Sequence, residues 1–264
     1  MRVTVCQIPN EPGPLALAWA ELCRHVATER ADLVLLPEMP FHPWLAATEN
    51  VDREAWQRAV ADHVRWCDRL SELGAPAVVG SRPVSYPEPR NRAFAWRQAD
   101  GLGDLHDKVY LPDEDGFWEA TWYRPGVPDY RLASMPLSGG GVAKVGVLLC
   151  TEMWFLERAR AYGRAGAHIV AVPRATPAST LDKWIAGGRT AAVVSGAYCL
   201  SAAPFNVLGE GADLGGGAWI IDPEGELLAL TTPDEPFATR EISTEIADAA
   251  KSGYPRYVPE VSSI

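Results

Sequence analysis

The sequence lacks any uninterrupted run of about 18 apolar residues, so no membrane-spanning helix is expected. Cysteines are sparse: five in 264 residues, an odd number without CxxC spacing, which argues against both a disulfide framework and a zinc site. They are expected to be free thiols in a reducing cytoplasm. The five histidines show neither HxxxH nor HExxH spacing, and neither metal nor cofactor chemistry is expected. Basic residues are outnumbered, and a net charge of −10 speaks against a nucleic-acid surface or a polybasic membrane contact. A repeat with a period of about 20–50 residues is missing, as is a low-complexity linker.

What remains is the composition of a globular protein with a large core, since roughly three quarters of the unfolded surface is buried at such lengths. Length alone accommodates one large α/β domain or two small ones. The N-terminal MRVTVCQIP reads as a short strand rather than a signal peptide. Helical and strand-like patterns then alternate. VDREAWQRAVADHVRWCDRLSELG predicts one long amphipathic helix with Trp56, Val60, Val64, Cys67 and Leu70 near one face, ended by Gly74. NRAFAWRQADGLGDLHDKVYLP predicts a hairpin with a glycine-containing turn, and GAWIIDPEGELLALT another that turns on Asp-Pro-Glu-Gly. FLERARAYGRAGA predicts a helix with Arg158, Arg160 and Arg164 on its wet side. The alternation favours a single layered α/β domain over residues 1–264, and the hairpins make its sheets mixed.

Three polar residues follow apolar strands: Glu38 ends LVLLPE, Lys108 lies in DLHDKVYLP, and Cys150 ends KVGVLLC. In α/β sheets the functional crevice lies at strand ends. A thiol placed there needs activation, because free cysteine is mostly protonated at neutral pH. A carboxylate serves as base and a lysine stabilises negative charge. Taken singly, each residue has a plainer reading: a packed inert thiol, a loop acid, a surface lysine. Their combination favours chemistry. His25 and His63 lie in helical segments and His168 begins a buried strand, so a histidine base is not expected.

The order LPE, HDKVYLPDEDGFWE, LLCTEMWF resembles the nitrilase superfamily of carbon–nitrogen hydrolases, and the similarity spans nearly the whole chain. The supporting stretches are VCQIP, LVLLPEMPF, PAVVGS, NRAFAW, the turn Tyr123-Arg124-Pro125-Gly126, and GGGAWIIDPEGELLA. The resemblance implies a four-layer αββα sandwich with two mixed β-sheets, and a homodimer or higher homo-oligomer that pairs across residues 154–165. It implies a Glu-Lys-Cys triad with Glu38 as general base, Lys108 stabilising an oxyanion and Cys150 as nucleophile. A second glutamate near the lysine is implied by GFWE as Glu119, with Glu114 the competing assignment. Leu156 stands where relatives often carry proline, a departure that concerns the helix start more than the chemistry.

Further residues are candidates for contact with substrate. The backbone N–H of Thr151 would join Lys108 at the oxyanion. Glu152 either faces the pocket and attracts a cation or simply starts a helix, where acids suit the dipole. Arg174 in AVPRATP either greets a substrate carboxylate or forms a surface ion pair. Trp118, Trp122 and Trp154 flank the motifs and could wall the pocket. GLGDLH is no dinucleotide fingerprint, because His106 replaces the last glycine. The resemblance implies an amidase or N-carbamoyl amide hydrolase acting through a thioester on a small-molecule amide, carbamoyl or nitrile substrate. A nitrilase is the alternative reaction, and a non-catalytic assembly module the alternative class. The paired arginines that some carbamoyl-amino-acid hydrolases place after the cysteine are absent from residues 151–154, so no carboxylate clamp is expected there.

Overall fold

The computed structural model describes residues 1–137, 140–207 and 212–260. The first sheet-forming stretch runs β1 (Arg2–Pro9), α1 (Pro12–Glu29), β2 (Leu33–Leu35), α2 (Arg53–Cys67), β3 (Ala77–Val84), β4 (Arg90–Arg97) and β5 (Gly101–Asp107). A short helix α3 (Glu119–Trp122) follows. The second comprises β6 (Ala133–Pro136), β7 (Val142–Val147), α4 (Leu156–Arg164), β8 (Ile169–Pro173), α5 (Leu181–Ser195), β9 (Tyr198–Phe205), β10 (Trp219–Ile221) and β11 (Leu227–Leu230). β12 (Phe237–Glu241) and α6 (Thr244–Ala250) close the described chain.

These strands form two mixed sheets of six, in the orders β5-β4-β3-β2-β1-β12 and β6-β7-β8-β9-β10-β11. β1 links them: Val3 to Val5 pair with β2, while Gln7 to Pro9 pair in parallel with β9. Helices α1 and α2 cover the first sheet, and α4 and α5 the second. Both faces of the second sheet are buried, so its side chains divide by parity. Val145, Val147, Ile169, Ala171, Tyr198 and Leu200 join the core between the sheets. Leu148, Val170, Val172, Cys199 and Trp219 pack with the helices instead. This is the expected αββα sandwich, and both predicted hairpins are present as β4–β5 and β10–β11.

Strand direction decides where side chains converge. β1, β2 and β3 are mutually parallel, and two antiparallel steps through β4 return β5 to the same sense. β7, β8 and β9 are parallel to each other, and β9 is parallel to β1. The C-terminal ends of β2, β5, β7 and β8 therefore open on one end of the sandwich.

The second helix differs from its sequence reading. It stops at Cys67, a separate 3₁₀ turn spans Leu70–Leu73, and Gly74 closes that turn at φ 70°. Its inward face is Trp56, Ala59, His63 and Cys67, while Val64 is 48% exposed. The wide indole of Trp56 and the satisfied imidazole of His63 set the rotation of the helix, in preference to the two valines. His63 Nδ1–H donates to the Ala59 carbonyl (2.7 Å), and Nε2 accepts from the backbone N–H of Phe41 (3.2 Å), just beyond Glu38.

That acceptor role requires a neutral ring, and burial lowers the His63 pKa from 6.5 to about 4. Between those pH values the unfolded chain binds the proton that the folded chain refuses, so stability falls as pH drops through this window. The loss expected from this group is up to roughly 3 kcal/mol. Thermal unfolding from pH 7 to 4 should show a smaller loss in His63→Gln than in the parent chain; parallel curves would exclude His63 as the source.

Candidate active site

Glu38 follows β2 in a segment that continues the pairing: the N–H of Leu36 donates to Val79 (2.8 Å), and that of Glu38 to the Arg174 carbonyl after β8 (3.4 Å). Lys108 directly follows β5, and its N–H donates to the carbonyl of Asn91 (2.8 Å), one step beyond the β4–β5 ladder. Glu119 begins α3. All three side chains are buried. The Lys108 ammonium donates to Glu38 Oε1 (2.8 Å) and to Glu119 Oε1 and Oε2 (2.8 and 2.6 Å). Asn91 Nδ2 donates to the same Glu38 oxygen (2.7 Å), and the Tyr123 hydroxyl donates to Glu119.

Burial alone would lower the pKa of Lys108, but the charges of Glu119 and Glu38 outweigh it and hold the ammonium above its ordinary range. Burial raises Glu119 to about 7, against the pull of Lys108 and with the push of Glu38. Burial and the same carboxylates raise Tyr123, which keeps its hydroxyl a donor. Two carboxylates thus clamp one lysine. Glu38 Oε2 is buried and has no hydrogen-bond partner among the described residues.

Cys150 closes the constellation from the second sheet. Two residues beyond β7 the chain breaks into a 3₁₀ turn, Cys150–Trp154, and Cys150 takes φ 49°. This left-handed conformation costs a non-glycine residue about 1–3 kcal/mol and persists only where neighbours impose it. Here the Leu148 N–H is held by Ala171 and the Leu149 N–H by the Glu152 carboxylate, each at 2.8–2.9 Å. The thiol lies near the Ala175 carbonyl (3.8 Å) and within the fields of Glu38, Lys108 and Glu119. Burial first, and then Glu38 and Glu119 against Lys108, raise its pKa, so the resting group is a neutral thiol. It opens on a cleft of about 310 Å³ walled by Glu119, Thr151, Phe117, Trp154, Trp184 and Pro177. Exposed Glu114 and Lys183 stand in the same wall, Lys183 over the Trp154 ring (5.6 Å). Larger hollows of about 550 and 740 Å³ lie between β5 and β6 and beside α2, and neither contains the thiol.

The carbon–nitrogen hydrolase family matches residues 2–251 of this chain. The chain belongs to that family, and with it to the nitrilase superfamily. An N-carbamoylputrescine amidase of Solanum tuberosum is 34% identical over 125 residues, 45% of this chain and 38% of that protein. A chloroplastic omega-amidase of Arabidopsis thaliana is 28% identical over 243 residues, 87% of this chain and 63% of that one. The chain thus spans less than two thirds of the length of these curated relatives. In fold, a carbon–nitrogen hydrolase from Helicobacter pylori superposes with a TM-score of 0.78 at 18% identity, covering 97% of this chain and 94% of that one.

In this chain Glu38, Lys108, Glu119 and Cys150 come together, and Glu119, rather than the exposed Glu114, touches the lysine. Thr151 and Trp154 line the cleft as expected. Three expectations are corrected. Glu152 does not face the pocket: it is fully buried, and its carboxylate accepts from His106, Tyr130 and two backbone N–H groups. Arg174 does not line the cleft. It is fully buried between Trp184 and Trp219 and donates to Ser201 (2.8 Å), Thr176 and the carbonyls of Gly216 and Gly217. Burial lowers its pKa to about 10. Trp118 packs beside Trp122 in the cluster beneath α3, and its neighbour Phe117 takes the wall position.

Asn91, Tyr123 and Lys183 were missed. Reading the register of the predicted hairpin one step outward places Asn91 against Lys108, and a position four residues after Glu119 shares its helical face, so two of the three left a signal.

Gly126 shows why the Tyr123–Gly126 turn carries glycine. Its N–H donates to the Lys108 carbonyl (2.8 Å), and a Cβ there would lie 2.3 Å from the Asp107 carbonyl oxygen. Gly126→Ala is expected to lower unfolding free energy by about 1–3 kcal/mol in urea titrations. Gly13→Ala, where nothing lies within 4 Å, is the control. Equal midpoints for the two variants would contradict the contact.

Proposed function

We propose that the protein is a cysteine-dependent amidase or N-carbamoyl amide hydrolase acting on a small molecule. The observation that carries this reading is the unpartnered Glu38 Oε2, buried in the cluster whose charges act on the Cys150 thiol. Buried polar atoms are nearly always paired, so a lone carboxylate oxygen beside a thiol calls for an explanation, and acceptance of the thiol proton supplies one. The family membership and the names of the amidase relatives point the same way.

The proposed sequence of steps balances without a cofactor. Glu38 takes the Sγ proton while sulfur attacks the carbonyl carbon. Negative charge develops on the carbonyl oxygen, where the Lys108 ammonium and the Thr151 N–H receive it. The C–N bond breaks as Glu38 returns the proton to the leaving nitrogen, leaving a thioester on Cys150. Water then adds to that carbon with Glu38 again accepting a proton, and the C–S bond breaks to restore the thiol. Glu119 holds Lys108 charged throughout. Because the resting thiol is neutral, proton removal is coupled to attack rather than completed beforehand. The small cleft sets aromatic walls beside Glu114, Glu119, Lys183 and three threonines, which suits a compact polar amide or ureido compound. A homo-oligomeric assembly across residues 154–165 and a cytoplasmic location belong to the same proposal.

The test is ammonia release from a panel of aliphatic amides, ureido compounds and nitriles. Cys150→Ala should abolish it. Lys108→Met and Glu38→Gln should each reduce it by about 10²–10³ or more. Activity surviving in Cys150→Ala would overturn the mechanism, and turnover confined to nitriles would overturn the amidase assignment.

A further inference from the structure

Glu152 forms a junction between the two sheets at their active end. Its Oε2 accepts from the Leu149 N–H and from His106 Nε2, both at 2.8 Å. Its Oε1 accepts from the Val109 N–H (2.8 Å) and the Tyr130 hydroxyl (3.2 Å). Leu149 immediately precedes Cys150, and Val109 immediately follows Lys108. One carboxylate therefore grips the backbone next to the thiol and the backbone next to the ammonium, across the gap between a strand of each sheet. A second strap lies alongside it. Tyr110 stacks on Phe155 with ring centroids 3.4 Å apart, and Arg158 donates to the Tyr110 hydroxyl (3.0 Å).

A fully buried carboxylate is a costly way to hold a fold together unless every oxygen is satisfied, and here four donors satisfy them. An apolar side chain could fill the volume but could not bridge two backbone N–H groups from different sheets. We infer that Glu152 is a positioning residue that sets the separation between Lys108 and Cys150, and thereby the reactivity of the thiol. This rests on reading those two residues as the reacting pair.

The experiment follows the rate of Cys150 alkylation by iodoacetamide at one fixed pH, located by peptide mass spectrometry, in the intact parent chain and in Glu152→Gln and Tyr130→Phe. The glutamine is isosteric but offers one acceptor oxygen for the four donors. Since the Lys108 charge favours the thiolate, loosening it should slow alkylation of Glu152→Gln by about tenfold. Amide turnover should lose about a hundredfold in kcat with KM nearly unchanged, the signature of misplacement rather than lost binding. Tyr130→Phe removes one donor and keeps the carboxylate, so its alkylation should slow by less. A folded Glu152→Gln with parental alkylation rate and kcat, or one that loses only melting temperature, overturns the inference. Should Glu152→Gln fail to fold, an unchanged alkylation rate in Tyr130→Phe does so. A parent chain that hydrolyses no amide while the rates change as stated would defeat the hydrolase reading and leave the positioning role standing.

Discussion

One ammonium held between two buried carboxylates organises this molecule. A charged lysine with no solvent exposure is tolerable only because Glu38 and Glu119 both meet it, and two carboxylates so close are tolerable only because the lysine sits between them. Asn91 and Tyr123 satisfy two further lone pairs, which leaves Glu38 Oε2 as the one carboxylate atom in the cluster without a partner among the described residues. With Glu119 raised to about 7, the cluster takes up or releases a proton near neutral pH, beside a thiol that burial already keeps protonated. That combination suits a site that moves a proton during attack rather than one that stores a thiolate.

The sandwich brings this cluster to the thiol. Lysine, acids and asparagine all come from the first sheet or the loops it carries, whereas Cys150 comes from the second. Parallel strand sense in both halves points the relevant ends the same way, and the shared strand β1 joins them. Helix α5 closes the cleft from outside, approaching the Cys150 turn so tightly that a Cβ on Gly187 would meet Met153 and Trp154 at 2.8–2.9 Å. Strain at Cys150 is thus imposed from several directions.

Much of this was legible in the sequence because it depends on strand ends and spacing. Glu38, Lys108 and Cys150 each follow an apolar run, and the family resemblance set Glu119 above Glu114, which the burial of the former matches. The misreadings share a cause. Glu152 and Arg174 also follow strands, but linear pattern cannot say whether a side chain turns into the cleft or back into the protein. Both turn back, because backbone groups from distant segments offer them enough hydrogen bonds to offset burial. Trp118 and Phe117 exchange roles for a related reason: neighbouring residues at a helix start point in different directions, and composition does not distinguish them. Helix α2 was misread in rotation because hydrophobicity favoured Val60 and Val64 over a histidine whose ring is fully bonded.

The central claim concerns the charge on Lys108, and it can be read directly. The chain has four lysines, Lys108, Lys144, Lys183 and Lys251, so ¹⁵N-labelled lysine side chains give a spectrum simple enough to assign, with Lys108→Met marking the signal of interest. On raising the pH through the ordinary lysine value of 10.5, the Lys108 signal should stay at the ammonium position, and Glu119→Gln should lower the pH at which it shifts. Titration of Lys108 at or below that ordinary value would contradict the account.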